Sequence, residues 1–299
     1  MATSAEVIAI KSTAVALSSG KREKLTWRSA VVHACLILGA LIMIYPLLWL
    51  ASSSLKPSNL IFSDLSLWPT RIRPQNYADG WRGAALPFST FFLNSFIIAG
   101  LAVIGNVFAC SLVAYAFARI NFSFKRTLFA LMMLTIMLPL HATLIPQYVL
   151  FYNLGWVNTF LPLVVPKFLA VDAFFIFLMV QFIRGIPREF DEAATIDGAG
   201  PFRIYWSVIL PLLTPALVTT AVFSFIWTYE DFLSPLVYLT SMEHYTVPQG
   251  LSLLMSSKGA SSWGPLLAMS LLSLVPLFVV FFIFQRRLIE GIATSGLKG

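Results

Sequence analysis

Residues 91–117 read FFLNSFIIAGLAVIGNVFACSLVAYAF, without one Asp, Glu, Lys or Arg. Built as a helix rising about 1.5 Å per residue, such a run crosses the roughly 30 Å of hydrocarbon in a bilayer. A strand barrel would use alternating segments of about ten residues, and this run does not alternate. Five more long apolar runs, at about 30–51, 127–151, 160–183, 208–232 and 264–285, bring the expectation to six membrane-crossing helices. Pro139 and Pro146 interrupt the third, and neighbouring helices can satisfy the backbone groups that proline frees. The expected fold class is an all-α integral membrane protein.

Composition agrees. The chain is 58% hydrophobic and 11% charged, with a mean hydropathy of +0.83. Soluble domains carry about 25% charged residues, and a soluble fold this apolar would expose large patches. The formal charge of +7 suits nucleic acid in a soluble chain. Here its distribution points to membrane topology instead, because cytoplasmic loops collect Lys and Arg. With the N-terminus inside, the inner segments hold Lys11, Lys21, Arg22, Lys24, Arg28, Arg119, Lys125, Arg126, Arg184, Arg188, Arg203, Arg286, Arg287 and Lys298. The other side and the membrane depth hold Lys56, Arg71, Arg73, Arg82, Lys167 and Lys258. Both termini are therefore expected in the cytoplasm. Residues 1–29 form a basic tail whose apolar stretches are too short and broken for a cleavable signal peptide. Residues 30–285 form the six-helix domain, and 286–299 a second cytoplasmic tail.

Several chemistries lack their motifs. No G-x-x-x-x-G-K-[ST] phosphate loop occurs, so this chain is not expected to hydrolyse ATP; Gly198 and Gly200 begin a G-x-G, but Arg203 stands where a third glycine would be. No H-E-x-x-H or G-x-S-x-G occurs. His33, His141 and His244 are far apart, giving no metal constellation, and Cys35 and Cys110 read as small hydrophobes inside apolar runs. The polar groups at membrane depth are the candidates for a wet path: Asn106, His141, Gln147, Lys167, Asp172, Gln181, Tyr229, Glu230 and Asp231. Their bland reading is interhelical hydrogen bonding, worth about 0.6 kcal/mol.

The most informative polar segment, at about 184–207, separates the fourth and fifth runs. Residues 186–201 read IPREFDEAATIDGAGP. Pro187 suits a helix start. Glu189, Asp191 and Glu192 follow in the first turns, where the helix dipole favours negative charge. Gly198 and Gly200 can stop the helix, and Pro201 can open a second one. Ala193 and Ala194 are small enough to let a partner surface approach. A partnerless amphipathic helix is the plain alternative.

Glu192-Ala193-Ala194, Asp197-Gly198-Ala199 and Ile209-Leu210-Pro211 together resemble the EAA loop of binding-protein-dependent ABC import permeases. The resemblance continues through Ser54-Leu55-Lys56-Pro57, Asn94-Ser95, Ala114-Tyr115-Ala116-Phe117-Ala118-Arg119, Leu138-Pro139, Ile145-Pro146 and Gln285-Arg286-Arg287 to the terminal Gly296-Leu297-Lys298-Gly299. It is closest to the carbohydrate-uptake branch, in the manner of the six-span partner subunit of the maltose transporter. The resemblance implies a bacterial inner-membrane permease that carries no cofactor of its own. ATP and Mg would belong to a separate ABC ATPase dimer. A homologous second permease, an external solute-binding protein and an oligosaccharide or related polyol complete the implied partners. It also implies that Glu192, Ala193, Ala194, Asp197, Gly198 and Ala199 couple to the ATPase, and that Gly296, Leu297, Lys298 and Gly299 touch it. The sequence departs from the family at Trp227-Thr228-Tyr229-Glu230-Asp231, where Glu230 stands in place of the usual amide. The outward cations and Lys167 leave an acidic cargo open through electrostatic steering. A secondary transporter or channel is the alternative from another class, and it leaves the loop unexplained. An intramembrane enzyme ranks behind both, because no nucleophile and base stand at a recognisable spacing.

Overall fold

The computed structural model describes residues 27–257 and 263–296. It opens with α1 (Trp27–Ser54). Then come α2 (Gln75–Trp81), α3 (Phe88–Arg119), α4 (Lys125–Thr135), α5 (Leu140–Asn153), α6 (Leu161–Phe168) and α7 (Ala173–Gly185). Next are α8 (Glu189–Ile196), α9 (Pro201–Ile204), a π-helical turn at Tyr205–Ile209, and α10 (Leu210–Leu212). The chain continues through α11 (Thr214–Glu230), α12 (Leu233–Tyr238), α13 (Val247–Ser257) and α14 (Trp263–Gly296). No strand occurs among the described residues. The chain divides after Leu50 into two units. The first holds most of α1, apolar around its whole circumference as a lipid-embedded helix should be. Residues 1–26 lie outside the described residues, and Trp27, Arg28 and Ser29, expected in the tail, already belong to α1.

Long apolar runs became helices for the reason lipid imposes: no water is there to satisfy an open backbone. Four described helices are long and apolar enough to cross a membrane, namely Trp27–Ser54, Phe88–Arg119, Leu161–Gly185 and Trp263–Arg286. Pro201–Leu212 with Thr214–Glu230, bent by 75°, makes a fifth if counted as one span. Three of the expected runs are broken. The third is split into α4 and α5, of 11 and 14 residues, by a turn ending at Pro139, whose extended backbone (φ −67°, ψ 134°) opens α5. The fourth breaks between α6 and α7, where Ala170 takes a left-handed φ of 55°. The fifth bends at Leu213, between Pro211 and Pro215. Proline carries no N–H and cannot continue the ladder through its own position.

In the second unit α3 is the central element. It packs against α11, α7, α6 and α13. Its buried positions run Phe88, Phe91, Asn94, Ser95, Ile98, Ala99, Ala102, Gly105, Asn106, Ala109, Cys110, Ser111, Ala114, Tyr115 and Ala118, the three-to-four-residue recurrence of a helix face. Most are small, which lets backbones approach where no hydrophobic effect drives helices together. A Cβ on Gly105 would lie 2.8 Å from the Phe168 ring and 3.0 Å from the carbonyl carbon of Lys167. The opposite face carries exposed Leu93, Phe96, Leu101, Ile104 and Phe108. At the far end of the bundle, asparagines replace regular structure. Asn76 Nδ2 donates to Ser54 O and Lys56 O, each at 2.8 Å. Asn94 Nδ2 donates to Glu243 O at 2.7 Å and Tyr245 O at 2.9 Å. Asn158, with a left-handed φ of 64°, accepts the Ser241 N–H at 2.8 Å.

The close passage at Gly105 sets a prediction. Gly105→Val should destabilise the folded chain by about 1–3 kcal/mol through overpacking. Asn106→Ala, which removes one interhelical hydrogen bond, should cost about 0.6 kcal/mol. Unfolding of the purified protein in mixed micelles ranks the two, and equal losses would contradict the packing described.

Candidate functional site

Residues 186–209 form an elbow on the C-terminal end of α3. In α8 no residue is buried. Its acidic residues Glu189, Asp191 and Glu192 lie in the first turn, as the dipole argument predicts. The helix ends in a Schellman motif: Gly198 N–H donates to Thr195 O at 3.0 Å and Ala199 N–H to Ala194 O at 2.9 Å. Gly198 has φ 79°, a conformation that costs a side-chain-bearing residue about 1–2 kcal/mol. The six residues expected to couple consequently divide between two sides. Glu192, Ala193, Asp197 and Gly198 are exposed. Ala194 and Ala199 are half-buried and pack on the elbow's own hydrophobic cluster. Phe190, Ile196 and Phe202 remain exposed on the elbow despite being large and apolar.

The elbow is fastened to α3 by polar contacts set in that cluster. Arg119, whose side chain is 7% exposed, brings Nε to 2.7 Å from Asp191 Oδ2. Its Nη2 donates to Ile186 O at 2.7 Å. Tyr115 Oη donates to Pro201 O at 3.0 Å. Tyr205 Oη and Ser111 Oγ share a hydrogen bond of 2.8 Å, both residues being fully buried. The Tyr115 and Tyr205 rings lie 5.4 Å apart. Ile204, Tyr205, Ile209 and Leu213 fill the space against Ala114, Ala118, Met179 and Ile183. Sequence reasoning missed this fastening. Tyr115 and Arg119 were visible in Ala114-Tyr115-Ala116-Phe117-Ala118-Arg119, but nothing linear links them to Asp191 or Pro201.

The membrane-depth candidates are not gathered into one cluster. Lys167 and Asp172 flank the break between α6 and α7 and form an ion pair, Nζ to Oδ2 at 2.9 Å and to Oδ1 at 3.3 Å. Asn106 is 1% exposed, and its Nδ2 donates to Ser224 Oγ of α11 at 2.9 Å. Gln147 is exposed and accepts from Tyr238 Oη at 3.3 Å. Tyr229 is buried among Phe96 and Phe225, and its hydroxyl has no hydrogen-bond partner among the described residues. Glu230 is exposed, whereas Asp231 Oδ1 accepts the Ser234 N–H at 3.1 Å in the first turn of α12. His141 and Gln181 are exposed. Lys56, counted among the outward cations, is 1% exposed, and its Nζ donates to Asp64 O at 2.7 Å and Ser66 O at 2.6 Å. At the C-terminus Gly296 closes α14, and Leu297, Lys298 and Gly299 lie outside the described residues.

Known proteins share both sequence and fold. The chain is 32% identical to the diacetylchitobiose uptake system permease protein NgcG of Streptomyces coelicolor, over 90% of this chain and 88% of that one. It is 32% identical to the arabinooligosaccharides transport system permease protein AraQ of Halalkalibacterium halodurans, over 87% and 93%. It is 30% identical to the sn-glycerol-3-phosphate transport system permease protein UgpE of Yersinia pestis, over 88% and 95%. A chain from a solved bacterial ABC transporter involved in import of the acidic polysaccharide alginate superposes with a TM-score of 0.74 at 23% identity, covering 86% of this chain and 95% of that one. Residues 105–293, which hold the elbow and most of the packed bundle, match the family described as the binding-protein-dependent transport system inner membrane component, and the chain belongs to that family.

Proposed function

We propose that this permease carries an oligosaccharide or related sugar, and that its elbow docks on a separate ATPase and converts the ATPase's motion into alternating access. One observation carries the reading. The residues of the EAA pattern that face outward, Glu192 and Ala193 on a helix with no buried residue and Asp197 and Gly198 in the turn that ends it, lie exposed, while the rest of the elbow is locked onto α3. Exposed Phe190, Ile196 and Phe202 add apolar surface of the kind a partner covers.

In this reading a second, homologous permease and an ABC ATPase dimer complete the translocating unit, with ATP and Mg held by the ATPase. An external solute-binding protein delivers cargo. Residues 184–207 and both termini lie in the cytoplasm, on the side richest in Lys and Arg. ATP binding closes the ATPase dimer and carries the elbow with it. Because Arg119 and Tyr115 sit on α3, the displacement enters the bundle at its central helix. It is passed on where α3 meets α6, α7 and α11. Each ligand shifts the balance only by binding the two states differently, and the coupling is reciprocal between nucleotide and cargo. Sugar cargo is supported by the names of the relatives, for diacetylchitobiose and arabinooligosaccharides. An acidic cargo is supported by the relative named for sn-glycerol-3-phosphate and by the exposed outward Arg71 and Arg82. Lys56 and Lys167 do not add to that steering, since one is committed to backbone carbonyls and the other to Asp172.

Three outcomes are expected. Glu192→Lys and Gly198→Leu should insert normally, keep ATP hydrolysis and lose uptake by about an order of magnitude, a usual size for allosteric coupling. Uptake and hydrolysis assays on reconstituted complexes measure both, and undiminished uptake in both variants counts against docking. With Cys35 and Cys110 replaced, Thr195→Cys, exposed on α8 but outside the EAA set, should react with an impermeant maleimide only from the cytoplasmic face. Labelling in intact cells would reverse the orientation. Lys167→Met alone should cost about 1–3 kcal/mol by leaving the part-buried Asp172 without its partner, and Lys167→Met with Asp172→Leu should recover most of that. If the pair lines the path, the double variant folds and still transports poorly. Full uptake would make the pair purely structural.

A further inference from the structure

A cavity of about 610 Å³ opens beside the elbow, lined by Phe117, Arg119, Lys125, Arg184, Arg188 and Glu189 among others. Four of those residues are cations and one is an acid. Arg119 is spoken for by Asp191 and Ile186 O. Lys125, Arg184 and Arg188 form no ion pair among the described residues, although Glu189 stands on the same rim. Two of the three are held in place by neutral partners. Lys125 Nζ donates to Ile120 O at 2.7 Å, and the Arg184 guanidinium lies 5.5 Å from the centre of the Phe129 ring. The crowding has a consequence: burial first, then Arg184 and Arg188, hold the Lys125 ammonium below its ordinary range. An anion in the cavity would relieve it.

We propose that this cavity binds a phosphate group, and that its source is the headgroup of an anionic phospholipid in the leaflet next to the elbow. The depth is right. Arg119 is the last residue of the span Phe88–Arg119, and Arg184 the penultimate residue of Leu161–Gly185, so the cations stand where hydrocarbon meets headgroups. Basic pockets between spanning helices at that level select phosphate headgroups. The surroundings suit a lipid better than a free ion. Phe117 lines the cavity, and the Phe122 and Phe129 rings pack on it with centres 5.7 and 5.4 Å away. Exposed Leu128, Leu131 and Leu134 continue from Lys125 along α4, an apolar track for an acyl chain. Helix C-termini also attract cations through their dipoles. That accounts for Lys125 on Ile120 O, but Arg188 precedes α8 at its N-terminus, the end that repels cations. Since Ile186, Pro187, Arg188 and Glu189 belong to both the cavity and the elbow, a bound headgroup would tune how the elbow responds to its motor.

The proposal rests on the orientation given above, and its test is independent of transport. The complete transporter is placed in nanodiscs of phosphatidylcholine, or of phosphatidylcholine with about a fifth phosphatidylglycerol, and retained lipid is counted by native mass spectrometry without nucleotide or cargo. Phosphatidylglycerol should be retained by the native complex and lost by roughly fivefold for each charge removed in Arg184→Gln and Arg188→Gln. Arg184→Lys should keep it, as should Arg126→Gln, which lies outside the cavity. Inorganic phosphate added to the neutral discs is the second arm. If it protects Gly185→Cys, an uncharged lining position with open space for a side chain, from a thiol reagent no better than buffer while phosphatidylglycerol does, the lipid source stands. Protection by free phosphate alone overturns the lipid. Equal retention of phosphatidylglycerol in the native and doubly substituted complexes overturns the site, with an acidic side chain of the ATPase as the other occupant. Failure here leaves uptake and its dependence on Glu192 and Gly198 untouched.

Discussion

Arg119 cannot leave Asp191 and Ile186 O cheaply. Its side chain is 7% exposed and Asp191's 20%, so separating them strands a charge in a poorly solvated place. Stranding a buried charge costs about 3–5 kcal/mol. The Tyr115 hydroxyl on Pro201 O and the buried Tyr205–Ser111 pair add hydrogen bonds worth about 1 kcal/mol each. Peeling the elbow from α3 would break all of these together. Moving the elbow and α3 as one body breaks none. The cheapest response to a pull on the elbow is therefore a movement of α3, and the proposed mechanism depends on that inequality.

From α3 the load path is short. The helix presents small side chains to α6, α7 and α11, and backbones that pass this closely transmit displacement with little give. Gly105 leaves no room for a side chain beside Lys167 and Phe168, which precede the break flanked by the Lys167–Asp172 pair. A broken helix with a polar pair is tolerated at membrane depth only where protein or a wet cavity surrounds it. In the proposed mechanism, motion begun at the elbow reaches this pair through α3.

The apolar runs and the elbow were legible in sequence because each follows from a local rule. Length and apolarity give a spanning helix, and carboxylates before two glycines give a capped helix and its stop. Gly198 is an instance: it read as a helix terminator and takes the left-handed conformation that role requires. Where the rule was not local, sequence fell short. The break at Ala170 has no proline at the turn itself, so the run 160–183 looked continuous. The buried face of α3 was hidden because the lipid-facing side is as apolar as the packed one, leaving no amphipathic signal. Ala194 read as partner-facing beside Ala193, yet helical rotation turns it toward the protein's own core. Lys56 looked like an outward cation, and tertiary folding enclosed it among backbone carbonyls. Asn76, Asn94 and Asn158, which tie down irregular segments, are single residues with partners up to 151 positions away.

The most direct test of the account is a distance within the assembled transporter. Spin labels at Thr195 on α8, an exposed position outside the EAA set, and Phe108 on the exposed face of α3 report whether the elbow and the central helix travel together. Pulsed electron-electron resonance with and without ATP should give the same distance distribution in both states, while a label pair between α8 and the second permease shifts. An α8–α3 distance that changes with nucleotide by several ångströms would mean that the elbow swings free of α3, and would contradict the account.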